Sequence, residues 1–313
     1  AISFTKAAYG LDEDMLFTFD VTLTIHETSK NMMVWYEKSS EPTVCHCISD
    51  TTGAGTYNFS VTIKGGETVT IHGLQESDTY TITERSGAYI TYLNGEESNK
   101  VPNTTVGKDI TSNVGTFVNI SKTDITVEKK WDDGAAADRR PDSIDIDLLA
   151  DGEVVDTATV TADKDGKWSY TFEDLPEYTV DGKKITYTVK EHDVEGYESS
   201  VNGWEIINTL KRGSLAVTKA VEGGGDSAQT HVYKFLVTGP YDYSQEVSIT
   251  GANRVVLGDL IPGAYTVTEL EKDAELDGYN LTVSGNNVTV DVDAGDETAE
   301  VTITNKYEEP EKP

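Results

Sequence analysis

Cysteine is nearly missing from this chain: only Cys45 and Cys47 occur in 313 residues, with His46 between them. Two thiols cannot staple a chain of this length, which excludes the small disulfide-framework class. The triplet offers metal-ligand atoms, but a structural zinc site needs four ligands and no second cluster lies nearby. No metal is therefore expected, and a loop disulfide or idle thiols are the two readings of the pair. Long apolar runs are absent as well, so no segment is expected to span or contact a membrane. Basic residues are few, 25 against 55 acidic ones, for a formal net charge of −30. That balance excludes nucleic acid as a partner. The acids are spread along the chain, which describes a solvated, self-repelling surface rather than an acidic-substrate or metal site. Helical three-to-four spacing hardly occurs. The five histidines, His26, His46, His72, His192 and His231, have no Ser or Cys partner in a recognisable motif. An enzyme acting on an external substrate is not expected, and no cofactor is implied.

What the chain does have is alternation of apolar and polar residues: FTFDVTLTI (17–25), YNFSVTI (57–63), ETVTIHGL (67–74), IDIDLLA (144–150) and AEVTITN (299–305). Such runs are half-buried strands. Clusters such as NGEES, DKDGK, DVDAG and SGNN break them at short intervals, as hairpins require. Asp163 and Asp165 in DKDGK share two positions with a calcium loop but lack the remaining ligands, so a hairpin turn is expected there. The sequons at Asn58, Asn103, Asn280 and Asn287 are read as incidental. The pattern is that of antiparallel sandwiches.

Internal similarity divides the chain. TYTITE (79–84) returns as TYTVKE (186–191) and YTVTE (265–269). Upstream of each lies a lysine run: ISFTK (2–6), ITVEK (125–129) and LAVTK (215–219). An asparagine run closes each unit: GTFVN (115–119), WEIIN (204–208) and VTITN (301–305). Domains of 1–121, 122–210 and 211–307 follow, with 308–313 read as a tail leading to a missing C-terminal region. No leader begins the sequence and no sorting tail ends it, so the chain reads as a trimmed ectodomain. The joints SKT (121–123) and LKRG (210–213) lack the tracts of flexible linkers, and a stiff, elongated rod is expected.

Side chains two apart on a strand share a face. Lys6 then lies with Ile2 and Phe4, Lys129 with Ile125 and Val127, and Lys219 with Leu215 and Val217. Glu84 lies with Tyr80 and Ile82, Glu191 with Tyr187 and Val189, and Glu269 with Tyr265 and Val267. Asn119 lies with Phe117, Asn208 with Trp204 and Ile206, and Asn305 with Val301 and Ile303. Nine polar residues thus occupy positions the pattern marks as buried. A buried ammonium or carboxylate must pair, neutralise or react. Burial pushes a lysine toward the free, nucleophilic amine and helps a glutamate hold a proton, while asparagine offers an electrophilic carbon and ammonia as leaving group. The expected chemistry is a self-formed amide between Lys6 and Asn119, Lys129 and Asn208, and Lys219 and Asn305, catalysed by Glu84, Glu191 and Glu269 respectively. The bland alternative has the lysines snorkelling, the asparagines in turns and the glutamates capping the sheet edge.

The middle domain resembles the Cna B-type repeat of Gram-positive collagen adhesins through EKKWDD (128–133), RPDSIDIDLLADGE (140–153), WSYTFEDLPEY (168–178), ITYTVKE (185–191), EGY (195–197) and IINT (206–209). LAVTK, DLIPGAYTVTE, DGY and VTITNKY are similar to the B-type domain of major pilins. FTFDVTLT, TYTITE and FVN resemble streptococcal-type pilin domains, with a departure near 30–56 that holds Trp35, Pro42 and the cysteine pair. The resemblance implies three tandem inverse immunoglobulin-like (Cna B-type) sandwiches, an all-β protein, with the lysine strand beside the asparagine strand. The first and last strands would be covalently joined, so a pull on the termini would pass through the bond.

The function implied is a structural stalk of a surface pilin or adhesin, extracellular on the bacterial cell wall or pilus, joined by sortase to other subunits or to the wall. No Tyr-Pro-Lys pilin-linking motif occurs, which favours the stalk of an adhesin over a polymerised backbone. An alternative makes 1–121 a binding module for a host glycan or matrix protein, using the insertion and the aromatics Trp35, Tyr36 and Tyr57.

Overall fold

The computed structural model describes residues 1–26, 33–49, 53–108 and 111–311. Residues 30–32 and 50–52 of the expected insertion, and 312–313 of the expected tail, lie outside the described residues. Strands make up nearly all regular structure, accompanied by a short helix, Gly225–Thr230, and 3-10 turns at Ala137–Arg139 and Glu271–Asp273. No helix among the described residues is long and apolar enough to cross a membrane. By compactness the chain divides into two units. One comprises Ala1–Thr126, Leu149–Glu153 and Thr171–Thr188, the other Val127–Leu148, Val154–Tyr170 and Val189–Pro313.

In the first unit the strand Ile2–Tyr9 sits inside a seven-stranded sheet. It runs parallel to Ser112–Ile120 on one side and antiparallel to Thr68–His72 on the other. A four-stranded sheet, in the order Lys100–Thr105, Thr79–Glu84, Phe17–Ile25 and Gly55–Ile63, faces it. Alternation drives this assembly: in FTFDVTLTI every second side chain, from Phe17 to Ile25, is buried. Phe19 packs 4.9 Å from Phe4 and 5.0 Å from Phe117, ring centre to ring centre, joining the sheets across the core. The insertion adds to the sheet rather than looping away from it. Val34–Lys38 pairs with Thr68–His72, and His46–Ser49 pairs with Val34–Lys38.

In the second unit Gly213–Gly223 runs parallel to Thr298–Glu308 within a four-stranded sheet. Ser244–Thr250, Val232–Thr238, Gly263–Glu269 and Val288–Val292 form a second four-stranded sheet. Tyr233, Phe235 and Tyr265 fill the core between them. Glycine ends the lysine strand for a steric reason: at Gly223, φ +74°, a Cβ would lie 2.2 Å from the carbonyl oxygen of Tyr307. The same unit holds a third parallel pair, in which Glu128–Asp132 lies beside Glu205–Thr209.

Two expectations about local structure change. Trp204 does not share the buried face of Asn208. It is 38% exposed because the strand begins at Glu205 and Trp204 belongs to the preceding turn, where Gly203 has φ +61°. Cys45 and Cys47 are free and exposed, not joined in a loop disulfide. At Asp163 the side-chain oxygen accepts the backbone N–H groups of Asp165 and Lys167, both at 2.8 Å, and so closes the turn on itself.

Candidate functional site

The three parallel strand pairs share one register. Lys6 stands opposite Phe117, Lys129 opposite Ile206 and Lys219 opposite Ile303. Each partner lies two residues before Asn119, Asn208 or Asn305, so lysine and asparagine project from neighbouring strands on the same inward face. A glutamate closes each cluster at the C-terminal end of its strand: Thr79–Glu84, Tyr187–Glu191 and Gly263–Glu269. Twelve buried polar residues occur among those described, and nine of them are these lysines, glutamates and asparagines. Concentration of the buried polarity in three places is why they merit attention as sites.

In the first cluster Lys6 Nζ lies 3.4 Å from Glu84 Oε2 and donates to the Phe117 carbonyl at 3.2 Å. Asn119 Nδ2 donates to Glu84 Oε1. In the second, Lys129 Nζ lies 3.5 Å from Glu191 Oε1 and donates to the Lys130 carbonyl at 3.0 Å, while Asn208 Nδ2 donates to Glu191 Oε1 at 3.2 Å. In the third, Lys219 Nζ lies 2.9 and 3.1 Å from the two oxygens of Glu269, and Asn305 Nδ2 donates to Oε1 at 3.0 Å. Each carboxyl group therefore receives both the ammonium and the amide. The Oδ1 atoms of Asn119, Asn208 and Asn305 are buried and accept no hydrogen bond. Leaving such an acceptor unmade in a folded interior is costly, and its recurrence at all three asparagines marks them as more than packing residues.

An aromatic ring covers each ammonium. Lys6 Nζ is 4.5 Å from the centre of Phe17, Lys129 Nζ 4.3 Å from Trp131, and Lys219 Nζ 4.6 Å from Tyr233. These rings exclude water while their faces still favour a cation. Burial is the larger effect: it pushes Lys6 and Lys129 down to about 8, against the pull of Glu84 and Glu191, and lowers Lys219 as well. Burial raises Glu84, opposed by Lys6 and Asn119. Both directions favour exchange of a proton between the partners.

The rings of Phe17 and Tyr233 are the members that sequence reading missed. Their signal was available as an aromatic pair two residues apart at the start of a strand, Phe17 with Phe19 and Tyr233 with Phe235. Beside Lys129, Arg140 extends the cluster. It grips buried Asp133 through Nε at 2.6 Å and Nη2 at 2.8 Å and lies over the ring of Trp131.

Elsewhere, Trp35 stacks on His72 at 4.0 Å, and Tyr36 stacks on His46 at 4.6 Å and on Phe59 at 5.5 Å. His46 pairs with Glu41 at 3.2 Å. Among the described residues no three His, Cys, Asp or Glu side chains converge as a metal ion would require.

Residues 125–209 match the family described as Cna protein B-type domain. Residues 2–121 and 215–308 match two further families, each described as a domain of unknown function. The collagen adhesin of Staphylococcus aureus is 33% identical over 195 residues, covering 60% of this chain. The chain spans only 16% of that adhesin's length. A solved single B repeat unit of the collagen-binding surface protein of S. aureus is 30% identical, with 60% of this chain and 99% of that one covered and a TM-score of 0.27. A solved pilus-presented adhesin is 21% identical, with 38% and 26% covered and a TM-score of 0.29.

Proposed function

We propose, from the premise that this chain belongs through residues 125–209 to the Cna B-type family of Gram-positive surface proteins, that it is a structural segment of a pilin or adhesin whose three domains, 1–121, 122–210 and 211–307, each close a Lys–Asn isopeptide bond. The observation that carries this reading is the threefold meeting of a buried lysine and a buried asparagine on one buried glutamate.

The lysine first passes a proton to the glutamate, leaving a free amine and a neutral acid. The amine nitrogen attacks Cγ of the asparagine, and the new N–C bond forms as the C=O electrons move onto Oδ1. The glutamic acid, already against Nδ2, protonates that nitrogen. The Cγ–Nδ2 bond then breaks, ammonia departs, and the proton shed by the lysine nitrogen returns to the carboxylate. Folding supplies the proximity that an enzyme gains from binding, so the event is single-turnover.

The bond closes a loop nearly as long as each domain. By the unfolded-state argument used for disulfides, it contributes about 4–5 kcal/mol per domain. It also slows unfolding and proteolysis, which suits an extracellular segment joined through sortase to other subunits or the cell wall. Intact mass tests the reading: the purified chain should weigh less than its sequence by three ammonias, and Glu191→Ala should restore one. A full, unmodified mass would sink it. A second role, recognition of a host glycan or matrix protein by 1–121, is favoured by the groove that Tyr36, Tyr57 and Phe59 line.

A further inference from the structure

One side of the first sandwich takes no part in this chemistry. His46–Ser49 is the outermost strand of the seven-stranded sheet, and Gly55–Ile63 is the outermost strand of the facing sheet. An outermost strand presents a row of backbone N–H and C=O groups ready to pair, and proteins ordinarily blunt it with lysine, proline or charge. Gly55–Ile63, GTYNFSVTI, has none of these over nine residues. Residues 43–49, TVCHCIS, have no Lys, Arg, Asp, Glu or Pro either. In a chain of net charge −30 this is a marked gap in the surface charge.

Between the two strands lies a groove of about 660 Å³ lined by Tyr36, His46, Ile48, Tyr57 and Phe59. All five side chains are half-buried, and Tyr36 lies nearly parallel to both His46 and Phe59. The groove thus combines an aromatic floor with, at its rim, an outermost strand that carries no lysine, proline or charge.

We propose that this groove binds an extended peptide of a partner, which adds as a further strand along Gly55–Ile63 and places alternate apolar side chains among Tyr36, Tyr57 and Phe59. This rests on the second reading above and gives it a chemistry. Backbone pairing supplies affinity and the aromatic floor supplies specificity for an apolar, uncharged or basic segment. A saccharide would need convergent polar side chains free to bind it, whereas Asn58 and Ser60, which also line the groove, are already engaged. Asn58 accepts from Thr22 at 2.7 Å, and Ser60 donates to Asp20 at 2.7 Å. A second copy fits poorly, since two chains of this charge repel and a flat strand edge would leave the recess unfilled.

The test uses the whole chain and a fluorescein-labelled peptide of nine alternating valine and threonine residues flanked by lysines, read by fluorescence polarisation. Saturable binding in the micromolar range is expected, with slowed amide exchange over Gly55–Ile63. Tyr57→Lys and Phe59→Ala should each weaken binding about tenfold. The same peptide with proline in place of threonine should not bind. That arm needs no variant and decides the matter even where a substitution disturbs folding. Absent binding, equal binding of the proline peptide, or unchanged binding by a folded Tyr57→Lys chain overturns the proposal. Capture of glycans without the peptide overturns it while leaving the second reading intact. Concentration-dependent dimers that protect Gly55–Ile63 overturn it in favour of self-pairing.

Discussion

The segments 1–121 and 211–307 build one kind of cluster inside sandwiches of different proportions. In the first, the parallel pair carrying Lys6 and Asn119 anchors seven strands; in the other, the pair carrying Lys219 and Asn305 anchors four. The rings over the lysines differ too, Phe17 against Tyr233. The register between the two strands does not differ, and neither does the glutamate at the end of the facing strand. The cluster is therefore set by the parallel pair and the carboxyl opposite, while sheet width is free to vary. Its tightness varies as well: Lys219 approaches both oxygens of Glu269, whereas Lys6 approaches one oxygen of Glu84 and spends a hydrogen bond on Phe117.

If the register alone governs the chemistry, Glu84→Ala and Glu269→Ala should have equal and large effects. Each should restore the mass of one ammonia and lower the calorimetric midpoint of its own domain by roughly 20 °C, from the loss of about 4–5 kcal/mol. A cushioned loss in the seven-stranded domain would show that sheet width matters after all. Next in size, Phe19→Ala and Phe235→Ala remove rings buried to 0% exposure and should each cost about 3–5 kcal/mol, measured by denaturant unfolding.

The pH dependence sharpens the comparison further. Bond formation in freshly synthesised, still unreacted chain, followed by mass, should slow at acid pH, where Lys6 and Glu84 both hold protons and no free amine exists, and burial, by lowering Lys6, extends the reactive range downward. It should slow again at alkaline pH, where the pair as a whole has lost the proton that Glu84 must donate, giving a bell that belongs to the pair. In unreactive Asn119→Ala, folded Lys6 holds its proton less tightly than the unfolded chain does. The folded state then binds fewer protons between about pH 8 and 10.5, so the lysine's contribution to stability rises with pH across that window. The smallest effect belongs to Arg85→Ala. It removes an exposed pairing with Asp20 at 2.8 Å and should leave every midpoint unchanged within error.

Much of the cluster was legible in the chain because strand parity is local. Lys6, Glu84 and Asn119 declare their face through residues two positions away, and the same holds for their counterparts. Trp204 misled the same rule, since parity has meaning only inside a strand and the strand starts one residue later. The rings over Lys6 and Lys219 were not legible as lids, because which strand faces which lysine is a matter of long-range pairing. The hairpin of Val34–Lys38 and His46–Ser49 escaped for a related reason. Its alternation is short and weak, and it is held by Thr68–His72, some thirty residues away in sequence. The groove it helps to form is thus a product of pairing that no local pattern announces.

Parallel pairing of a lysine strand with its asparagine strand also fixes a direction along the chain. Gly213–Gly223 and Thr298–Glu308, eleven residues each, run side by side over ten, from Ser214 beside Thr298 to Gly223 beside Tyr307, roughly 33 Å at the usual strand rise. The chain therefore comes in at one end of that pair and leaves at the other. A circular permutant would need a linker spanning the full length of the pair, unlike the many sandwiches whose termini lie close together. The order of strands is consequently locked twice, once by the register that brings lysine to asparagine and once by a geometry that resists rearrangement of the gene.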